Sequence, residues 1–525
     1  MQKKLLAAAV LSTLSGAAFA QSANVTIYGT LYAQYEYGSA LGADASAAPT
    51  AANGASTSPI HTYSTHPADV QGRLRSDGAG ANFGLRGTED LGNGLQAWFQ
   101  LELGTAGAIG GVNPSSATSL TGWQAPTYRN SAIGLRGNNW GSFLVGIWDT
   151  PYTVAYGQAA LVPKLLSVNS ANASAGFYGT TPFAAGGTFS GTSIAQACQP
   201  FVDVATATAA AGVATVSSGP AGATAATCLT ATQNFDRRQG GTLQYWTPNW
   251  NGFEGRMMFT GGQENYNGST NLPNWGNNPT PTMLRPWLAG LSLNYGNGGF
   301  FGSYAYQIHK DLTAAGVRNL SVSTTGVATA LGAATNSGAG AAQTVGFGNS
   351  INGSTEQAHR VGLKYKFDSG FGIGGRFEYL KGTYTYGTSP TAASAVAPTT
   401  AAGFGTSTYG ANVTGYTKKV WGIAGSYETG PHAVEIEFNK IPNATFQCDS
   451  GTVALASSCS GSGTGARQWS IGYDYALSKR TDFQAYFVQI ANDTNARYTG
   501  AVFNALAPLA GGDPRYIGVG MRHTF

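Results

Sequence analysis

The feature that most constrains this chain is an alternation of period two that keeps charge to one side. Val434, Ile436 and Phe438 interleave with Glu435, Glu437 and Asn439, and Val361, Leu363, Tyr365 and Phe367 interleave with Arg360, Gly362, Lys364 and Lys366. Successive side chains of a β-strand point to opposite faces, so each segment predicts a strand with one oily and one wetted surface. The pattern starts with Val25, Ile27, Leu31 and Ala33 against Thr26, Tyr28, Thr30, Tyr32 and Gln34. It returns at 82–87, 95–103, 129–137, 141–148, 240–247, 255–262, 286–295 and 299–310, then at 356–367, 372–384, 416–428, 432–441, 468–477, 482–492 and 514–525. That makes sixteen strands, an even number.

The connections alternate in kind. Short ones at 89–94, 138–140, 249–252, 297–298, 368–370 and 429–431 are rich in Gly, Asn and Pro, the chemistry of turns. Between them lie long segments at 38–81, 104–128, 149–239, 312–355, 387–415 and 442–467, largely Ala, Gly, Ser and Thr. Short turns at one end and long loops at the other predict an outer-membrane barrel with periplasmic turns and external loops. The polar face carries Gln, Glu, Arg and Lys, which suits a water-filled lumen, and closure satisfies backbone groups that hydrocarbon cannot. Tyr28, Trp287, Tyr295, Trp421, Tyr427, Trp469 and Tyr475 sit near strand ends, where aromatic girdles are expected.

Composition agrees. Only 10% of the 525 residues are charged, against about 25% in an average soluble domain. The 75 glycines disfavour helices, while 26 Tyr, 24 Phe and 10 Trp suit strands and interfaces. Beyond the N-terminus no run approaches the roughly 20 apolar residues of a membrane helix, which excludes a helical membrane protein. A net charge of +4 gives no concentrated basic face for nucleic acid.

Lys3 and Lys4 precede the apolar run 5–14 and the small-residue site Ala18-Phe19-Ala20, so residues 1–20 read as a signal peptide and Gln21 as the mature start. Removing them takes away two lysines and no acids, leaving 505 residues and a net charge of +2. Cys198, Cys228, Cys448 and Cys459 form no CxxC pair, and their surroundings suit loop disulfides in an oxidising compartment. Three pairings are open; Cys198 with Cys228 and Cys448 with Cys459 close the most local loops. The six histidines are scattered without metal-binding spacing, and the glycines at 104–111 precede no Gly-Lys-Ser/Thr, so no metal or cofactor is expected.

Four blocks carry a family resemblance: the start Asn24-Val25-Thr26-Ile27-Tyr28-Gly29-Thr30, residues 83–95 with Gly87-Thr88-Glu89-Asp90-Leu91-Gly92-Asn93-Gly94, Ser131-Ala132-Ile133-Gly134-Leu135-Arg136-Gly137, and the end Arg522-His523-Thr524-Phe525. They resemble the general diffusion porins of β-proteobacteria, and the strand order is similar along the whole mature chain. The resemblance implies an all-β, sixteen-stranded antiparallel transmembrane barrel with long external loops. It also implies a homotrimer exported through the periplasm to the outer membrane of a Gram-negative bacterium, among lipids and lipopolysaccharide. The terminal Phe525 then serves as a signal to the barrel-assembly machinery.

In that family the third external loop folds inward, and its acidic residues face wall arginines across the pore. The resemblance places this loop at 149–239, with Asp149 and Asp236 as acidic candidates; Glu102 faces the lumen by alternation with Gln96 and Gln100. Arg238 leads the basic candidates. Counting back by twos from Leu243 turns Gly241, Gln239 and Arg237 outward and Arg238 inward, an assignment that a bulge exchanges. Asn82 and Gly146-Ile147 stand where relatives often carry arginine, and Arg73, Arg75, Arg86, Arg129 and Arg136 are the candidates to compensate, Arg86 and Arg136 lying on the polar face. Residues 181–233 are nearly free of charge. They either plug the lumen or fold outward as a cap pinned by Cys198 and Cys228, and their composition favours the cap.

The expected function is passive diffusion of small hydrophilic solutes and ions, with no enzyme activity. One alternative is a solute-specific channel using lumen aromatics such as Tyr32 and Trp98. Another is an adhesive or structural barrel, favoured by a blocked lumen. A barrel enzyme needs a nucleophile beside His432 and Glu435, and none can be placed there from the sequence.

Overall fold

The computed structural model describes residues 24–43, 69–77, 80–105, 127–162, 178, 216–217, 235–261, 287–310, 318–322, 343–347, 351–386, 413–448, 461–500, 508 and 511–525. Among them run sixteen barrel strands: β1 (Asn24–Leu41), β2 (Val70–Asp77 and Asn82–Gly92), β3 (Leu95–Gly104), β4 (Thr127–Tyr128 and Ser131–Gly137), β5 (Gly141–Asp149), β6 (Arg238–Trp246), β7 (Phe253–Gly261) and β8 (Trp287–Asn297). The second half comprises β9 (Phe300–Lys310), β10 (Ile351–Lys366), β11 (Phe371–Tyr386), β12 (Val413–Thr429), β13 (His432–Ile441 and Thr445–Cys448), β14 (Ala466–Ala476), β15 (Thr481–Asn492) and β16 (Asp513–Thr524). The sixteen expected strands are all present, and several run longer at their loop ends than alternation alone predicted.

Each strand pairs antiparallel with the next, and β16 returns to β1 in register from Thr30↔Thr524 to Leu41↔Asp513. Gly29 and Phe525 complete the seam by exchanging backbone hydrogen bonds of 3.2 and 3.1 Å. The sheet therefore has no edge, which is what a β-structure in hydrocarbon requires. The short turns follow their residues: in Asn251-Gly252 both φ angles are positive, at 53° and 96°, the backbone that Asn-Gly adopts most readily between twisted strands.

The two faces differ as the alternation demands. Ile436 is 53% exposed on the outside, while its neighbours Glu435 and Glu437 are buried within. Val361, Leu363 and Tyr365 likewise face out, with Arg360 inside. An exterior of exposed Leu, Ile, Val, Phe and Trp around an interior of Gln, Glu, Arg, Lys and Ser is the reverse of a soluble barrel and fits lipid outside and water within. Tyr28 departs from the girdle expected of it. It turns inward and donates to Glu102 at 3.0 Å, because its strand position alternates with the lipid-facing Ile27. A separate small sheet joins Val216–Ser217, Arg318–Val322 and Gln343–Phe347, linking two of the long connections.

Candidate pore constriction

After β5 the chain turns into the barrel. Thr150 caps helix α1 (Pro151–Gln158) by accepting from the Thr153 amide at 3.3 Å, and Pro151 occupies the first turn, where its missing N–H is not needed. The four-residue spacing sets Tyr152 and Tyr156 on one helix face. Both are buried as α1 packs against the inner wall at β5 and β7–β10. Glycine makes room for this approach: a Cβ at Gly362 would meet the Ala159 Cβ at 2.5 Å.

Arg360 of β10 is the centre of the attachment. It holds Asp236 through two hydrogen bonds of 2.8 and 2.7 Å, reaches Glu378 at 3.1 Å, and donates to the Tyr152 carbonyl at 2.8 Å. Its guanidinium lies 4.0 Å from the Tyr152 ring centre and 5.0 Å from that of Tyr156. The Tyr152 hydroxyl donates to Glu378. Burial and the neighbouring Glu378 carboxylate push this phenol well above its ordinary range. Next along the wall, Arg376 pairs with Glu437 at 3.3 Å and lies 4.7 Å from the Tyr156 ring centre. Tyr178 donates to Asn439 at 3.0 Å, and Lys364 donates to the Ala160 carbonyl at 2.6 Å. The returning end of the loop is held as well. Phe235 stacks on His309 at 4.3 Å, and Gln307 donates to its carbonyl at 3.2 Å.

Several residues expected at the constriction come together here. Asp149 and Asp236 stand at the two roots of the inward segment. Arg238 pairs with Asp149 at 3.0 Å and donates to Asn130 at 2.9 Å, while Asn130 donates to Asp149 at 2.8 Å. The pairing of β5 with β6 slips by one residue between Gly146 and Trp148, opposite Gly241 with φ 58°, which is a bulge. Gln239 therefore lies opposite Trp148, and the inward placement of Arg238 counted from Leu243 does not survive the extra residue. Arg237 is tied to the loop through its backbone: its N–H donates to the Thr153 hydroxyl at 2.9 Å and its carbonyl accepts from the Thr150 amide at 3.1 Å.

Glu102 is buried between Arg129, at 2.5 Å, and Tyr28. Arg86 and Arg136 line one cavity of about 480 Å³ with Trp98, Trp148 and Trp246. The side chains of Arg73, Arg75 and Cys448 lie outside the described residues, as do residues 1–20, Cys198, Cys228, Cys459 and nearly all of the 181–233 insertion. The alternation puts Arg360 and Glu437 on the wet face without assigning either a role, and Arg376 and Glu378 are not among the residues singled out from the sequence. Alternation reaches all four, because each neighbours a lipid-facing residue such as Val361, Phe377 or Ile436.

A closed sixteen-stranded cylinder, apolar outside, lined with ionised groups and narrowed by an inward helix, defines a channel-type barrel of the outer membrane. The family model described as Gram-negative porin matches residues 7–495. The chain belongs to that family, whose barrels let solutes diffuse across the outer membrane. An outer membrane porin protein of Bordetella pertussis is 32% identical over 180 residues, which cover 32% of this chain and 42% of the relative, so the alignment spans less than half of that protein. Similar solved structures include an anion-selective porin from Comamonas acidovorans, at 17% identity and TM-score 0.49, covering 96% of this chain and 100% of that one. Another is OmpF of Salmonella typhi, at 10% identity and TM-score 0.43, covering 95% and 97%.

Proposed function

We propose that the barrel is a passive, weakly anion-favouring pore for small hydrophilic solutes and ions, working as a homotrimer and without enzyme chemistry. The observation that carries the ion preference is the pairing of the acids. Asp149 is held by Arg238, Asp236 by Arg360 and Glu102 by Arg129. The Asp149–Arg238 and Glu102–Arg129 pairs each cancel their own field at a distance, while Arg360 is shared between Asp236 and Glu378. Among the described residues Arg86 and Arg136 have no ion-pair partner, and both are exposed to the cavity they line. Uncancelled charge on a low-dielectric wall sets the sign of the pore potential.

Cleavage after Ala20, an outward cap formed by the third-loop insertion, and Phe525 as the assembly signal belong to the same reading. The test is the zero-current potential of the purified protein in a planar bilayer under a KCl gradient. A modest displacement toward the chloride equilibrium potential is expected, and displacement toward potassium overturns the preference. Proteoliposome swelling in neutral sugars should slow as the sugar grows. Folded barrels that pass neither ions nor sugars would favour the adhesive alternative.

A further inference from the structure

We infer that the pore carries, on the short-turn side of the inward helix, a binding subsite for aromatic carboxylates. The inference rests on the channel reading above. Its first observation is an aromatic patch on a wall that otherwise faces water. Trp98, Trp148 and Trp246 pack together, with ring centres 6.0 Å apart for Trp98 and Trp246, 5.8 Å for Trp98 and Trp148, and 5.2 Å for Trp148 and Trp246. Trp148 is largely covered, but Trp98 and Trp246 stay partly open to the 480 Å³ cavity. Their indole N–H groups are engaged, Trp98 with Ser142 at 3.0 Å and Trp246 with Gln244 at 3.0 Å. What they offer a solute is therefore carbon surface and π-face. The backbone is cut to fit: a Cβ at Gly134 would come within 2.6 Å of the Trp98 ring, so glycine there lets the indole lie along the wall.

The second observation is where the cations stand. On β3, Trp98 lies between Gln96, which is opposite Arg136, and Gln100, which is opposite Arg86. The two arginines thus flank the indole diagonally, with Cα atoms roughly 16 Å apart from the strand spacing and rise. Arg136 donates one N–H to Gln96 at 2.9 Å and Arg86 lies 5.0 Å from the Tyr28 ring centre, which leaves each most of its five donors. Arg256 adds a cation 4.7 Å from the Trp246 ring centre. Among the described residues no carboxylate lines the cavity.

A ring lying on Trp98 places a carboxylate substituent within reach of one arginine. Chloride makes no use of the indoles, and a neutral sugar makes no use of the surplus positive charge. An anion with a flat apolar face uses both.

The test compares benzoate, acetate and benzyl alcohol added to the purified protein in a planar bilayer in KCl. Benzoate should reduce or flicker the chloride current at concentrations where acetate, charge without ring, and benzyl alcohol, ring without charge, do not. Trp98→Ala should weaken the benzoate effect about tenfold or more, Trp98→Phe should retain most of it, and Arg86→Gln combined with Arg136→Gln should remove it. Equal effects of benzoate and acetate, or a Trp98→Ala channel as sensitive as wild type, overturn the subsite. Heat-modifiable migration in gels reports that each variant is folded. Absence of current in KCl alone rejects the channel itself, whereas normal current without a benzoate effect rejects only the subsite.

Discussion

Replacing Arg360 with Met removes a charge while keeping much of the side chain's bulk. In the wild type this guanidinium is 1% exposed and joins Asp236, Glu378 and the Tyr152 carbonyl, at 2.7 to 3.1 Å. The substitution leaves Asp236 and Glu378 without that cation in a place shielded from water. Deleting one partner of a buried pair costs about 3–5 kcal/mol. Each 1.4 kcal/mol is a factor of ten, so the pinned position of the loop loses roughly two to three and a half orders of magnitude against displaced ones. The closed wall strands share ladders on both sides and resist displacement, so α1 and the Asp236 segment should move instead. Single-channel recordings should then show a noisy pore switching between the wild-type level and others. Adding Glu378→Gln and Asp236→Asn removes the stranded charges and should quieten part of that noise. A steady Arg360→Met current at the wild-type level would refute the claim that this cluster holds the constriction.

Three further outcomes follow from the same geometry. Ile436→Arg puts a charge on the lipid face and should cost about 2–4 kcal/mol if mid-membrane; an unchanged urea midpoint would put that face in water. Deleting Phe525 removes the backbone pair with Gly29 at the seam and should lower the fraction of heat-modifiable barrel in outer membranes; normal yield would deny it the assembly role. Peptide mapping without reductant should recover Cys198 linked to Cys228 and Cys448 to Cys459, and crossed pairs would overturn the local pairing.

The barrel was legible in the sequence because lipid and water impose opposite demands on adjacent residues, so a run such as Glu435, Ile436, Glu437 has one solution. The constriction was less so. Arg360 and Asp236 are 124 residues apart, and alternation says which way Arg360 points but not what folds in to meet it. A count by twos also fails silently at a bulge. The Gly240-Gly241 pair is the local sign that one residue is added, and it shifts the register before Arg238. Tyr28 shows two signals in conflict: nearness to a strand end suggests a girdle, but its alternation with Ile27 turned it inward to Glu102.

Paired cysteine probes, in a chain whose native cysteines are serine, distinguish water inside and lipid outside from the reverse. Gln100→Cys and Leu101→Cys are adjacent on β3 but face opposite sides, Leu101 being 45% exposed on the outer wall. A charged, membrane-impermeant thiol reagent should label the cysteine at 100 quickly and the cysteine at 101 hardly at all. Preferential labelling at 101, or a dry and unreactive 100 in folded barrels, would contradict the account.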